Sequence, residues 1–365
     1  MRPMTSETMT GSSTARPGGT AGKRQAFGRG ASLVEWAQKN GLFFALLALV
    51  ILFSVTTQHF ATAANARVIL MQVALVGIMA VPAAMLILSG YVDLSVGGIM
   101  VLSAVVFGMC MQAGTGLPVA IAAAFAAAIT WGLFNAVSIT VWAFSPIVVT
   151  LGGLVGARGL AQFLTQGMTN FGFGPQFALL GNGTLLSMPV PVVIFAVIFL
   201  AGLHVWYRTP YGRHMMATGG AQEAAKALGI RTVAIPFWLY TMSAATAALC
   251  GLISASQLDS AAITIGTGAE LDVLTGVLLG GVAFSGGRGS LFGVLYGVLF
   301  IGALRNGLVQ INVSAYFHQF SVGLALIFAA GLDILYQRLE RLRTARAAVA
   351  PHGGQNGSAA EGASS

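Results

Sequence analysis

Charged residues are scarce in this 365-residue chain, which has 18 Lys and Arg and 10 Asp and Glu, or 8% of the total. A soluble domain contains about 25% charged residues, so the composition excludes an ordinary soluble globular protein. Hydrophobic residues make up 56% of the chain. The formal net charge of +8 is confined to a few loops and tails, and it therefore indicates membrane topology rather than nucleic-acid binding.

Enzyme signatures are missing as well. The three lysines lie outside any G-x-x-x-x-G-K-[ST] phosphate loop, and the five histidines lack metal-ligand spacing. Neither a G-x-S-x-G elbow nor an H-E-x-x-H motif occurs. The two cysteines, Cys110 and Cys250, lie in apolar runs and are predicted to be buried hydrophobic residues. The sequence thus predicts no catalytic residue, no cofactor and no metal site.

Long apolar runs dominate what is present, and they predict an all-α polytopic membrane protein with about ten transmembrane helices. The predicted spans lie at about 41–55, 68–88, 94–111, 117–142, 147–164, 189–206, 233–254, 271–284, 290–308 and 317–336. Residues 1–35 and 344–365 are rich in small and polar residues, and both are predicted to be disordered tails. The membrane domain between them is predicted to occupy residues 36–337.

The positions of the basic residues orient these spans. Six lie before residue 41, four between residues 207 and 231, one at position 288 and four after residue 336. Loops that stay in the cytoplasm carry an excess of Lys and Arg. All four places lie in the cytoplasm if both termini do, and this is the predicted topology.

The central basic segment, Tyr207–Arg231, is the only long polar stretch among the predicted spans. Gly219-Gly220 is predicted to break the chain, and residues 222–228 are predicted to form a short helix closed by Gly229. We expect this helix to present Ala224, Ala225 and Leu228 on one side. A short cytoplasmic helix of this kind suits docking to another protein, and the alternative is a loop that only connects two spans.

Ionisable and polar side chains at membrane depth are costly to bury and indicate function by default. Asp93 follows a helix break, and it either caps the third span with its carboxylate or lines a pathway at a broken helix. Arg158 either faces a pathway or fixes helix packing. Weaker pathway candidates, each interpreted first as an interhelical hydrogen bond, are Asn135, Thr150, Gln162, Arg305 and Asn306.

Four motifs in order resemble those of the ribose-type permeases of bacterial ABC importers. GYVDLSVG at 90–97 is similar to their G-x-x-D-L-S-V-G, and PIVVTLG at 146–152, followed by Arg158-Gly159, to P-F-I-V-T-L-G…R-G. Residues 209–230 resemble their T-x-x-G-R-x-x-x-A-x-G-G-N-x-x-A-A-x-x-x-G-I, and residues 280–289 their G-G-x-x-x-x-G-G-x-G. The resemblance covers residues 68–335. Ala221 stands where the family usually has Asn, and the tails lie outside the pattern.

The resemblance implies a permease subunit of the bacterial inner membrane that imports a monosaccharide. Its implied partners are a cytoplasmic ABC ATPase, a periplasmic sugar-binding protein, a second permease copy and membrane lipid. ATP is hydrolysed on the partner, so the chain itself is not an enzyme. The alternative is another solute of the same family, namely an autoinducer-like furanone, a polyol, a nucleoside or a branched-chain amino acid. An ion-coupled secondary transporter is disfavoured because paired carboxylates are missing from the predicted spans.

The resemblance also implies two docking regions. The coupling loop that meets the ATPase would include Gly212, Arg213, Gly219, Gly220, Glu223, Ala224, Ala225, Leu228 and Gly229. Predicted outer loops at 165–188 and 257–272 would meet the binding protein. Their aromatic and acidic docking candidates are Phe171, Phe173, Asp259, Glu270 and Asp272.

Overall fold

The computed structural model describes residues 41–314, 317, 320–327 and 331. The two predicted tails and half of the predicted tenth span lie outside these residues. Twelve α-helices are formed in the described part: α1 Gly41–Thr56, α2 Ala63–Leu88, α3 Val96–Gln112, α4 Leu117–Thr140, α5 Pro146–Thr165, α6 Pro175–Asn182, α7 Val190–Arg208, α8 Pro210–Gly220, α9 Gln222–Ala227, α10 Ala234–Leu258, α11 Ala269–Leu279 and α12 Leu291–Gln310.

Four two-residue strands complete the described elements. β1 (Asn170–Phe171) pairs antiparallel with β4 (Ser260–Ala261), and β2 (Thr184–Leu185) pairs antiparallel with β3 (Met188–Pro189). The first pair ties the segment after α5 to the end of α10. The predicted all-α class is thus confirmed in its main feature, since most of the described residues are helical and the two-residue strands only join loops.

Six of the described helices are long and apolar enough to cross a membrane: α2, α4, α5, α7, α10 and α12. Two others, α1 and α3, are apolar but shorter. The predicted eighth span, 271–284, is helical only as far as Leu279, where α11 ends, and its 11 residues reach about 16 Å of a hydrocarbon core of about 30 Å. The total of ten spans and the side of the termini stay predictions.

Helices α2, α3 and α10 form the centre of the molecule. The second half of α2, from Gly77 to Leu88, is buried along its whole circumference, and most of α10 is buried as well. By contrast, α5 and α7 carry large exposed apolar side chains such as Val155 and Val197. Large apolar side chains on the outer helices are expected for a protein whose surroundings are lipid.

Small residues allow the helices to approach closely, as their spacing predicts. A Cβ on Gly297 would meet the carbonyl oxygen of Gly276, and one on Gly293 would meet that of Gly280. The glycine pairs Gly276/Gly280 and Gly293/Gly297 therefore lie against each other where α11 and α12 meet. A Cβ on Gly152 of α5, in contrast, would meet nothing within 4 Å, so that position faces outward.

Candidate functional site

A break in a buried helix is the centre of the candidate site. Helix α2 ends at Leu88 and α3 begins at Val96, and Gly90 has a positive φ of 85° between them. We call Gly90–Ser95 the interhelix segment. Irregular backbone at membrane depth persists only where protein or a water-filled cavity covers it, so the partners of this segment decide its role.

The interhelix segment lies inside the helix bundle at its Val92 end. The hydroxyl of Tyr240 donates to the carbonyl oxygen of Val92 at 2.9 Å, and Tyr240 is fully buried. Tyr240 is the seventh residue of α10, about 9 Å along that helix. The break is therefore recessed from the helix ends, as the broken-helix interpretation of Asp93 requires.

Asp93 is 6% exposed and belongs to a chain of buried hydrogen bonds. Its Oδ1 accepts from the backbone N–H of Ser95 at 2.9 Å and from the Ser95 hydroxyl at 2.6 Å. Asn135 Nδ2 donates to the same hydroxyl oxygen at 2.8 Å. Asp93 thus binds an N–H before the helix begins, rather than the free N–H groups of the first turn, so the predicted N-cap role was wrong in this detail.

Several polar atoms around this chain lack a hydrogen bond among the described residues. They include Asp93 Oδ2, Asn135 Oδ1 and Trp131 Nε1, although Ser243 is close enough to Asp93 to interact with its carboxyl group. A Cβ built on Gly153 would lie 3.1 Å from Asn135 Oδ1 and 3.2 Å from Trp131 Nε1, so these two atoms are neighbours. We call Asp93, Ser95, Trp131, Asn135 and Ser243 the buried polar cluster.

Arg158 lies next to a second non-helical stretch, between β4 and α11. Its Nη2 donates to the carbonyl oxygen of Gly266 at 3.2 Å, and it interacts electrostatically with Glu270. The carbonyl oxygen of Gly266 and the carboxylate of Glu270 lie so close to Gly97, the second residue of α3, that a Cβ would not fit there. Arg158 is therefore positioned against the start of α3, the same helix that follows the buried polar cluster.

The remaining pathway candidates bond elsewhere or face outward. Thr150 donates to the carbonyl oxygen of Pro146 at 2.8 Å within α5, and Gln162 is exposed. Asn306 and Asn65 exchange hydrogen bonds of 2.9 and 2.8 Å between α12 and α2. Arg305 bonds to Asp272 at 2.7 Å. Of the seven predicted pathway residues, Asp93, Asn135 and Arg158 adjoin the helix break.

The predicted coupling loop is a pair of short helices, α8 and α9. Gly219-Gly220 does not break the chain but forms the last turn of α8, and the change of direction occurs at Ala221, with φ −159° and ψ 83°. Gly229, with a positive φ of 78°, follows α9 as predicted. Ala221, which departs from the family pattern, is thus the linker between the two helices.

The two faces of α9 differ from the prediction. Ala225 is 2% exposed and packs inward, whereas Ala224 is exposed and Leu228 is 81% exposed. The expectation that all three share one side was therefore wrong. Glu223 and Lys226 form a surface ion pair at 3.4 Å, and exposed pairs of this kind contribute under about 1 kcal/mol.

Hydroxyl groups fasten α8 to the bundle. Tyr211 donates to the carbonyl oxygen of Ile235 at 2.9 Å, and burial raises the pKa of Tyr211 to about 12, so the donor keeps its proton. The Tyr207 hydroxyl, in the last turn of α7 just before α8, accepts from the backbone N–H of Leu291 at 3.2 Å and joins α7 to α12. At Gly212, a Cβ would meet the carbonyl oxygen of Trp206, and Arg213 beside it is exposed. The helix pair is therefore held firmly while its outer surface stays free.

Three segments that carry the family motifs contact one another through their backbones beside α8. The N–H of Gly287 donates to the carbonyl oxygen of Leu88 at 2.8 Å. A Cβ on Gly219 would meet that same oxygen and would lie 2.7 Å from the nitrogen of Gly287. A Cβ on Gly286 would lie 3.0 Å from both Gly219 and Gly90. We call this meeting of residues 88–90, 219–220 and 286–287 the glycine junction, and sequence reasoning missed it.

The predicted docking residues at the opposite end are mostly buried. Phe173 is 6% exposed and stacks at 5.2 Å, edge to face, on Phe107. Glu270 and Asp272 are buried inside the bundle, so neither acid can meet a partner from outside. Phe171 is exposed, and Asp259 uses one oxygen to accept from the N–H of Phe173 at 2.9 Å. Three of the five predicted docking residues are therefore wrong in their exposure.

Comparison with known proteins places these features in a family. The model of the family described as the permease component of the branched-chain amino acid transport system matches residues 65–330. The ribose import permease protein RbsC of Bacillus subtilis (strain 168) is 35% identical over 298 residues, which cover 81% of this chain and 92% of that protein. RbsC of Escherichia coli (strain K12) is 33% identical over 82% of this chain and 94% of its own length.

Permeases that are named for a different transported solute also match. The autoinducer 2 import system permease protein LsrD of Enterobacter sp. (strain 638) is 32% identical over 65% of this chain and 75% of its own length. No solved structure matches the chain. The chain resembles the ribose permeases over nearly their whole length, and together with the six long apolar helices among its described residues this makes it a multi-pass protein of the inner membrane. It therefore belongs to the ribose-type branch of the ABC importer permease family.

Proposed function

We propose that the chain is the transmembrane subunit of an ATP-driven importer that carries a monosaccharide, with ribose as the first candidate. The observation that carries this proposal is the match to ribose import permeases over 92% and 94% of their lengths. In this proposal ATP is hydrolysed on a separate cytoplasmic subunit, and a periplasmic binding protein delivers the sugar. Both termini and the basic end, with α8 and α9, face the cytoplasm.

The buried polar cluster suits a neutral polyhydroxylated solute. Sugar hydroxyls need both donors and acceptors, and the cluster offers the acceptor Asn135 Oδ1 and the donor Trp131 Nε1, together with the Asp93 carboxyl group beside Ser243. Unsatisfied buried polar atoms are costly, so they favour a state in which the cluster opens and a passing hydroxyl group satisfies them. Arg158 and Glu270 border the route where the second non-helical stretch meets α3.

The ATPase docks on the outer face of α9. Leu228 is the apolar anchor, Ala224 permits close approach, and Arg213 and Lys226 form the charged rim. Ala225 holds α9 to α8 from the inner side, and Gly219 and Gly220 belong to the contact with the bundle. At the opposite end, Phe171 and Asp259 remain as contacts for the binding protein.

A second permease copy packs on the exposed face of α5. Val148, Val155 and Phe163 are more than two-thirds exposed there, and neither Gly152 nor Gly159 has a neighbour within 4 Å of its Cβ position. Glycines on an otherwise bulky outer face leave notches that suit a second helix better than lipid chains.

Reconstitution tests the proposed function. The purified chain in liposomes should take up no labelled ribose with ATP alone, and uptake should appear when the ATPase and the sugar-binding protein of the same organism are added. The matched control is an ATPase with its catalytic glutamate replaced by glutamine. ATP-dependent uptake by the permease without partners would contradict the proposal.

The second candidate cargo is an autoinducer-type furanone, which the similarity to LsrD favours. The same liposomes distinguish the two, since excess unlabelled furanone should leave ribose uptake unchanged if the importer is a sugar system. Uptake of labelled furanone but not ribose would replace the sugar by the furanone and leave the importer assignment standing.

A further inference from the structure

The interhelix segment contacts both ends of the proposed transport machinery. At its inner end Asp93 and Ser95 hold Asn135 through hydrogen bonds of 2.6 and 2.8 Å. At its outer end Gly90 belongs to the glycine junction. Only two residues, Tyr91 and Val92, separate Gly90 from Asp93, so a shift at one end reaches the other directly.

The outer end is in contact with both helices of the proposed ATPase-binding surface. A Cβ on Gly90 would lie 3.7 Å from the Cα of Gly219, in the last turn of α8. Gln222, the first residue of α9, donates from Nε2 to the Tyr91 hydroxyl at 3.4 Å. The Tyr91 ring also meets the Tyr240 ring edge to face, with centroids 6.5 Å apart. The segment therefore contacts both α8 and α9.

Free space borders the same segment. A cavity of about 190 Å³ is lined by Gly90, Tyr91 and Val92 on one wall and by the start of α5, with Ser145, Pro146 and Ile147, on another. Interiors are otherwise packed closely enough that an element cannot move without room. The segment thus has close backbone contacts at the glycine junction and an empty volume beside it.

We propose that the interhelix segment transmits movement of α8 and α9 to the buried polar cluster, with Gly219 and Tyr91 as positioning residues. This rests on the proposed function, because it takes α9 as the ATPase-binding element. Displacement of α8 shifts the Leu88 and Gly287 backbone with Gly219, and the segment moves into the cavity. Asp93 and Ser95 then change position relative to Asn135, which opens the cluster to the solute.

A pair of adjacent glycines tests the junction. In Gly219→Ala the new Cβ meets the Leu88 oxygen, whereas in Gly220→Ala its nearest neighbour is the Gly287 Cα at 3.9 Å. We expect Gly219→Ala to keep ATPase binding and basal ATP hydrolysis but to lower solute uptake by about tenfold, within the range for residues on a coupling route. ATP consumed per solute transported should rise accordingly. Gly220→Ala should behave like the natural chain in all three measurements.

A second pair keeps the test decisive if Gly219→Ala does not assemble. Tyr91→Ala removes the ring that connects Gln222 to Tyr240 and creates no clash, whereas Tyr91→Phe keeps the ring. We expect Tyr91→Ala to raise the ATP-to-solute ratio and Tyr91→Phe to restore it within about twofold. An unchanged ratio in Gly219→Ala or, where that variant does not assemble, in Tyr91→Ala overturns the proposal. Loss of assembly in both variants also overturns it, because these residues would then be structural.

The natural complex in the same assay separates this proposal from the proposed function. If the natural chain with its partners transports no solute, the importer assignment fails. If the natural chain transports and the variants keep its ATP-to-solute ratio, only the transmission through the interhelix segment fails.

Discussion

At the scale of single residues, the Arg305–Asp272 pair joins α12 to α11. The distance is 2.7 Å, and the two side chains are 34% and 4% exposed. Removing one partner of such a pair leaves the other as an uncompensated buried charge. We expect Arg305→Met to lower the free energy of unfolding by about 2 kcal/mol, less than for a fully buried pair because Arg305 is partly solvated. Thermal unfolding of the purified protein in detergent measures the effect.

A double-mutant cycle supplies the control for this pair. Arg305→Met combined with Asp272→Leu leaves no stranded charge, so the double variant should regain most of the lost stability. If the two effects simply add, the pair does not stabilise the α11–α12 contact and the prediction is wrong.

Asp272 also shows what the sequence could not reveal. An acid beside the end of an apolar run is expected at a membrane border, and the docking prediction followed from that position. The partner of Asp272 is 33 residues further along the chain, where Arg305 stood alone in a predicted span. An unpaired arginine inside one span and an acid at the end of another were the available signal for an ion pair. The helix break before Asp93 is visible in the sequence, and the structure has it between α2 and α3.

At the scale of elements, the outer face of α9 carries the proposed ATPase contact. Ala224→Arg places a long charged side chain on that face, while the buried Ala225 still holds α9 in place. We expect co-purification of the ATPase and solute uptake to fall together, because an unpaired charge would be placed in the contact. Both should be measured in cells with equal amounts of permease in the membrane.

Ala224→Ser is the matched control at the same position, since a small side chain leaves the close approach intact. Binding and uptake should then stay near those of the natural chain. If the Ala224→Arg variant binds the ATPase and takes up solute as well as the natural chain does, α9 is not the ATPase contact. The helix pair then only connects α7 and α10.

The elements also show why glycine positions are hard to interpret from sequence. Gly219-Gly220 was predicted to turn the chain, but the pair lies in helix α8 and serves close backbone approach to residues 88 and 287. Gly229 does take a positive φ as predicted. A close backbone contact and a positive φ both favour glycine, and only the neighbours in the folded structure show which of the two applies. The short α11 was likewise hidden, because the apolar run continues past the point where its helix ends.

At the scale of the whole molecule, long apolar runs predicted the long helices to within a few residues, as the ends of α2 and α5 show. The family was also predictable, because its motifs survive as short strings in order. The arrangement around the break was not, since it depends on contacts between residues far apart in the chain, such as Tyr240 with Val92. Neither the sequence nor the fold of a single chain determines how copies of the chain associate, so their association needs a separate prediction.

The exposed face of α5 should be where two copies meet. In a background in which Cys110 is replaced by serine, Gly152→Cys and Gly159→Cys each place a thiol in an open notch of that face. Cys250 is buried and donates to the Leu75 carbonyl oxygen at 3.3 Å, so it stays unreactive. Mild oxidation of membranes should yield a covalent dimer from at least one α5 variant, because paired thiols react only when their Cα atoms lie within about 7 Å. Val197→Cys on the exposed side of α7 is the control, and it should stay monomeric on a denaturing gel. A dimer from Val197→Cys without one from either α5 variant would move the interface to α7 and leave α5 facing lipid.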